Sequence, residues 1–236
     1  MELSGRSVVI TGVGRPGQLG EAVAAAFSAR GAKLFLVDRH EAEAQGRADA
    51  LLAAGGRAAA LVADLTDATQ VEALAERVRG ATGGRVHAVV HLAGGFAASG
   101  PVAVSDPAVW NAQFALHATT AYLVARAFLP QLRAARGSLA FFASEAVLPG
   151  GRSAELSAYA AAKAAVVALM RAIAQEEAAS GVRANALAPS AIRTAANVAS
   201  MPAGTPMVAR EAVADVVLWL CSEQARAVTG QLVPVR

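Results

Sequence analysis

Short apolar runs alternate with longer helical stretches along the whole chain, and this alternation constrains the fold most. Ser7–Gly12 (SVVITG), Lys33–Arg39 (KLFLVDR), Arg57–Leu65 (RAAALVADL), Val86–Gly95 (VHAVVHLAGG), Ser138–Ser144 (SLAFFAS), Val182–Pro189 (VRANALAP) and Gln231–Val235 (QLVPV) read as strands. Helical patterns fill the gaps: Leu19–Gly31, Glu41–Gly56, Asp67–Gly84, Asp106–Gly137, Ser157–Gly181 and Arg210–Ala225. A strand that is apolar on both faces and is followed by a helix belongs to a βαβ unit. Repeated, such units give an α/β fold: a doubly wound parallel sheet of about seven strands with helices on both faces. Local chemistry adds caps and breaks. Thr66 or Asp67 should cap the third helix and Ser157 the fifth, while Pro130 should kink the fourth. No linker, repeat or low-complexity tail interrupts the pattern, so residues 1–236 read as one domain.

Composition excludes several function classes. The net charge is +3, but Arg and Lys are spread rather than clustered, so nucleic acid is not expected as a partner. The Ala-rich segments are broken by Arg, Glu or Gly, so they read as buried or interfacial helices and no membrane partner is expected. Cys221 is the only cysteine, and the N-terminus runs directly into a strand, so a cytoplasmic location is expected.

Between the first strand and first helix, TGVGRPGQLG (Thr11–Gly20) carries Gly12, Gly14, Gly17 and Gly20. Gly12 to Gly17 spell GxGxxG, which at a helix N-terminus offers backbone N–H groups to a phosphate. Asp38 ends the second strand about 20 residues past the loop, where an acidic side chain accepts hydrogen bonds from an adenosine ribose. The two features together point to a dinucleotide site.

Tyr159 and Lys163 are spaced i, i+4 and share one helix face. The chain has only two tyrosines, and its other lysine is Lys33, so the pairing carries information. A phenol with a pKa of about 10 is a poor acid or base at neutral pH. A neighbouring ammonium favours the phenolate and should lower the Tyr159 pKa.

With these residues in place, the chain resembles the short-chain dehydrogenase/reductase family over nearly its whole length. The motifs occur in the family's order: TG…LG after the first strand, Asp38, ADLTD (Ala63–Asp67), HLAGG (His91–Gly95), Ser144, YAAAK (Tyr159–Lys163) and NALAPSAIRT (Asn185–Thr194). The resemblance implies a Rossmann-like fold and hydride transfer between a nicotinamide cofactor and an alcohol/ketone substrate. It assigns proton exchange to Tyr159, the hold on the substrate oxygen to Ser144, and the nicotinamide ribose to Lys163. Asp64 maps to the adenine ring, with Leu65 beside it. Thr194 maps to the nicotinamide carboxamide, with Ile192 and Pro189 nearby. Gly12, Gly14, Arg15, Gly17, Gln18, Leu19, Ala93, Gly94 and Gly95 complete the expected cofactor contacts. Asp38 favours NAD(H), because it would repel a 2′-phosphate; Arg39 and Arg15 leave NADP(H) open. In relatives the two long helices pair across two-fold axes. A homodimer or homotetramer is therefore expected, through Ala161, Ala165, Val166 and Leu169 beside Ala115, Thr119 and Tyr122.

The chain also departs from the family. Its glycine-rich loop has two extra residues, a length nearer the enoyl-acyl-carrier-protein reductase branch, so reduction of C=C stays an alternative. That branch usually separates Tyr and Lys by six residues, unlike YAAAK. His91 replaces a structural Asn and should satisfy buried backbone groups. His117 aligns with the Asn whose backbone carbonyl holds a relay water; its imidazole is a second candidate proton shuttle. The His91 and His117 departures keep a non-catalytic nucleotide sensor open. Trp110 and Trp219 read as core or interface residues. Glu145, Arg152 and Glu155 sit in an enlarged loop beside the substrate and read as solvated.

Overall fold

A computed structural model describes residues 2–236. Its centre is a sheet of seven parallel strands: β1 (Ser7–Thr11), β2 (Lys33–Asp38), β3 (Arg57–Val62), β4 (Ala88–His91), β5 (Ser138–Phe142), β6 (Arg183–Pro189) and β7 (Leu232–Val235). Their order is β3-β2-β1-β4-β5-β6-β7. Order therefore reverses between β1 and β4, which pair from Val8↔Ala88 to Thr11↔His91. In such sheets ligands bind beyond the strand ends at this reversal.

The helices are α1 (Leu19–Ser28), α2 (Glu41–Ala53), α3 (Ala68–Thr82), α4 (Pro107–Phe114), α5 (Thr120–Ala135), α6 (Ser157–Glu176), α7 (Ala195–Ser200) and α8 (Arg210–Leu220). Successive strand side chains point to opposite faces. Val9 and Phe35 accordingly join one core layer with α3, α5 and α6. Val8, Ile10 and Leu34 join the other, with α1, α2 and α8. Helix α6 is long and apolar enough to cross a membrane by length and composition, but Val166, Val167, Met170 and Ile173 bury one face of it in the first layer.

Local expectations meet mixed outcomes. Asp67 caps α3, accepting from Thr69 N and Gln70 N. Ser157 does not cap α6: it is the first helical residue, and its hydroxyl pairs with Ser99 Oγ at 3.1 Å. Pro130 leaves α5 unbroken. The break in the long helix comes earlier, as a single π turn over Ala115–Thr119. Such wide turns frequently mark functional sites. Neither tryptophan lies in the core: Trp110 is 45% exposed and stacked on Phe114, and Trp219 is 38% exposed.

Candidate active site

The strand order opens a cavity of about 800 Å³ beyond the ends of β1 and β4. That volume suits a cofactor-sized ligand. Ten expected residues line it: Gly12, Gly14, Arg15, Asp38, Arg39, Asp64, Leu65, Ala93, Gly94 and Gly95. His40, Thr66, Leu92, Leu116 and Thr120 line it too. Leu116 and Thr120 reach the cavity from the π turn and its end, which no periodicity reveals.

Gly12 is what lets the loop lie so low. Its φ is +70°, and a Cβ there would sit 2.5 Å from Ala93 N and Cα. Any side chain would push β1 and β4 apart at the cavity floor. Asp38 then ties the loop to β2. Its carboxylate accepts from Gly14 N at 2.9 Å and His40 N at 3.1 Å. A carboxylate accepts about four hydrogen bonds, so both oxygens keep capacity for ribose hydroxyls. Asp64 is held by Thr66, which donates its N–H at 2.9 Å and its hydroxyl at 2.7 Å and keeps the carboxyl acidic.

Gly17, Gln18 and Leu19 do not line this cavity, and neither do Ser144, Tyr159, Lys163 and His117, which lie beside it. The Gly17 N–H is already taken, donating to Glu21 Oε2 at 2.9 Å, so it does not present itself to a phosphate. Gln18 occupies the N-cap position of α1 without a side-chain cap bond. Pro189, Ile192 and Thr194 also lie off the cavity. They form the path from β6 to α7, where Thr194 Oγ1 caps the helix by accepting from Asn197 N at 3.2 Å.

Tyr159 and Lys163 occupy the first two turns of α6, and Ser144 follows β5. The Tyr159 ring is held edge-to-face between Phe96, with centroids 5.3 Å apart, and His117, at 5.5 Å. Lys163 Nζ lies 5.8 Å from the Tyr159 ring centre and donates to Phe142 O at 2.8 Å. The protonation behaviour of the pair corrects the expectation. Burial raises the Tyr159 pKa, and only the Ser144 hydroxyl pulls the other way. Burial pushes Lys163 down to about 7, so at neutral pH it is only part-charged.

The two histidines have different roles. His91 Nδ1 lies 2.8 Å from Thr11 Oγ1 and its Nε2 3.1 Å from Thr120 Oγ1. Thr120 spends its own proton on Leu116 O at 2.7 Å. Nε2 must therefore carry the His91 proton, and Nδ1 accepts from Thr11. His91 is a satisfied buried link between β1 and α5. His117 sits within the π turn, and its Nε2 donates to Gly95 O at 2.7 Å. Burial, then the Lys163 charge, pushes the pKa of His117 down to about 3. Its ring stays neutral at physiological pH, which is a correction: the ring does not titrate where a proton shuttle must.

Glu145, Arg152 and Glu155 are exposed. Among the described residues, no cluster of His, Cys, Asp and Glu could hold a metal ion.

Residues 12–236 match the family model described as Enoyl-(Acyl carrier protein) reductase. The chain is 32% identical to 2-(S)-hydroxypropyl-CoM dehydrogenase 3 of Xanthobacter autotrophicus, over 97% of this chain and 94% of that one. It is 34% identical to cis-4-hydroxycyclohexanecarboxylate dehydrogenase of Sinomonas cyclohexanicum, over 98% and 94%. A short-chain type dehydrogenase/reductase from Mycobacterium ulcerans superposes with a TM-score of 0.90 at 29% identity, covering 100% of this chain and 90% of that one. A 7α-hydroxysteroid dehydrogenase solved with NADH and 7-oxo glycochenodeoxycholic acid gives a TM-score of 0.90 at 25% identity, over 99% and 94%. Sheet order, cavity, the Ser144–Tyr159–Lys163 set and these likenesses agree: the chain belongs to the short-chain dehydrogenase/reductase family of oxidoreductases.

Proposed function

We propose that this chain, acting as one domain, is a nicotinamide-dinucleotide-dependent dehydrogenase that interconverts a small-molecule alcohol and its ketone. One observation carries the reading. His117 joins the cavity wall to the acid/base group, bonded to Gly95 O on one side and packed on the Tyr159 ring on the other. A dinucleotide in the cavity would thus end beside the phenol that exchanges the proton.

The residues fit the cofactor. The Gly12 approach leaves room for a pyrophosphate, and Asp38 and Asp64 in the cavity wall suit ribose and adenine. The family resemblance assigns the nicotinamide ribose to Lys163. When bound, the cofactor supplies hydride exchange at its nicotinamide ring. Ser144 holds the substrate oxygen by its hydroxyl. Tyr159 exchanges a proton with that oxygen. Lys163, in its charged form, favours the phenolate. The His117 ring passes no proton, so any relay past it uses its backbone carbonyl. Turnover of a panel of secondary alcohols and ketones, followed by reduced-nicotinamide absorbance, tests the reading. Turnover only of α,β-unsaturated thioesters would favour the C=C alternative instead. The Tyr159–Lys163 spacing and the dehydrogenase relatives support the alcohol reading.

Asp38 sets the cofactor preference, NAD(H) over NADP(H), because its carboxylate would meet a 2′-phosphate. Asp38→Ala should weaken NADH binding about tenfold or more, since hydrogen bonds to a charged group contribute about 1.5–3 kcal/mol. NADPH binding should hold or improve, aided by Arg15 and Arg39. Wild-type chain that binds NADPH more tightly than NADH would overturn this preference.

A homodimer or homotetramer completes the reading. Val166 faces the core and leaves the expected contact stripe, but Ala161, Ala165 and Leu169 are only half-buried, and Tyr122 is 52% exposed. Light scattering should find at least a dimer at micromolar concentration, and a monomer there refutes it. A cytoplasmic location suits a nicotinamide enzyme whose half-buried Cys221 thiol is pushed up to about 11 by desolvation and stays unreactive.

A further inference from the structure

Gly17, in the second half of the glycine-rich loop, lies off the cavity, yet it is tightly held. Glu21, on the first turn of α1, is the hub. Its Oε2 accepts from Gly17 N at 2.9 Å and from Arg210 at 2.8 Å, and its Oε1 accepts from Arg47 at 2.8 Å. These partners come from α8 and α2, so three helices fix one peptide. The convergence holds the Glu21 carboxyl down at about 2 despite burial. The other side of that peptide faces α7, whose N-cap is Thr194. Gly17 O accepts from Ala195 N, the first residue of α7, at 2.9 Å. Contact there is close: a Cβ on Gly17 would lie 2.8 Å from the Ala195 Cβ.

We propose that the lengthened loop is the seat of α7, and that Glu21, braced by Arg47 and Arg210, is the positioning residue that fixes both. Glu21 touches no reacting group. It sets the Gly17 peptide, whose carbonyl sets the start of α7, while the same loop carries Gly12 and Gly14 at the cavity floor. Loop and segment therefore move as one, and ligands on the two sides bind with linked affinity. The proposal rests on the dinucleotide reading above.

Hydrogen exchange of the full-length chain, with and without NADH or NADPH, tests it. In wild type, the dinucleotide should slow exchange over residues 195–200 as well as over residues 12–18. Glu21→Gln keeps the shape but removes the charge that gathers two guanidinium groups and the Gly17 N–H. Without ligand it should speed exchange over residues 195–200 about tenfold and leave the β1, β4 and β5 amides unchanged. It should also raise substrate KM several-fold at saturating dinucleotide, with kcat little changed. Arg210→Gln should act in the same direction, with Arg210→Lys restoring part of the loss. The arginine pair tests the link if Glu21→Gln does not fold. Dinucleotide binding with unchanged exchange over residues 195–200, or variants that leave that segment protected, would overturn the linkage alone. A wild-type chain that binds neither dinucleotide would overturn the functional reading and the linkage with it.

Discussion

Tyr159→Phe is expected to lower turnover by roughly 10²–10⁴-fold, the range for loss of one general acid/base. The change removes one oxygen and keeps the ring, so the edge-to-face contacts with Phe96 and His117 persist. Dinucleotide affinity and the thermal midpoint should stay near those of wild type. The prediction is sharp because no nearby group can replace the phenol. The His117 ring is held neutral with its Nε2 donating to Gly95 O, and Lys163 is assigned to the nicotinamide ribose rather than to the substrate oxygen. A Tyr159→Phe chain with full activity on an accepted alcohol would end the mechanism, whatever the fold. Ligand titration alongside the rate assay separates lost chemistry from lost binding.

Much of this architecture is legible in the residues. The seven strands can be read because parallel strands buried on both faces are continuous apolar runs, as in KLFLVD and SVVIT. The cavity lining follows from motifs whose chemistry is local: a glycine that must approach Ala93, and a carboxylate at the end of β2. Three things are illegible because they depend on three-dimensional geometry that spacing alone does not carry. The π turn at Ala115–Thr119 stands in place of the expected kink at Pro130. Gly17 has the spacing of a phosphate contact, but Glu21 takes its N–H and Ala195 takes its carbonyl. The titration of the catalytic pair escapes the motif because spacing gives adjacency but not burial. YAAAK announces that Tyr159 and Lys163 share a face. It does not announce that the lysine is 7% exposed, where desolvation outweighs its effect on the phenol.

Lys163→Met is expected to move activity and stability in opposite directions. The native lysine is pushed down to about 7 by burial, from an ordinary value of 10.5. Between those values the unfolded chain binds more protons than the native one, so the lysine's contribution to stability rises with pH from about 7 toward 10.5. Below about 7 the native lysine is charged as well, and its full desolvation cost applies. Each tenfold loss of proton affinity corresponds to about 1.4 kcal/mol, so this cost is on the order of several kcal/mol at neutral pH. Methionine fills similar space without charge. The variant should be more stable than wild type in urea at pH 7, and the gap should shrink as pH rises toward about 9.5, near the ordinary lysine range. The raised pKa of Cys221 gives a contribution of opposite sign in alkali, but both chains carry that thiol, so it cancels in the comparison. Activity should fall by about 10²-fold or more, because the variant loses the cation that favours the phenolate and the ribose contact as well. A variant less stable than wild type at pH 7, with a gap that does not change with pH, would show that Lys163 is not held at the cost the structure implies. A chain that keeps a buried lysine at such a cost holds it for what it does beside Tyr159, since an apolar side chain would serve packing better.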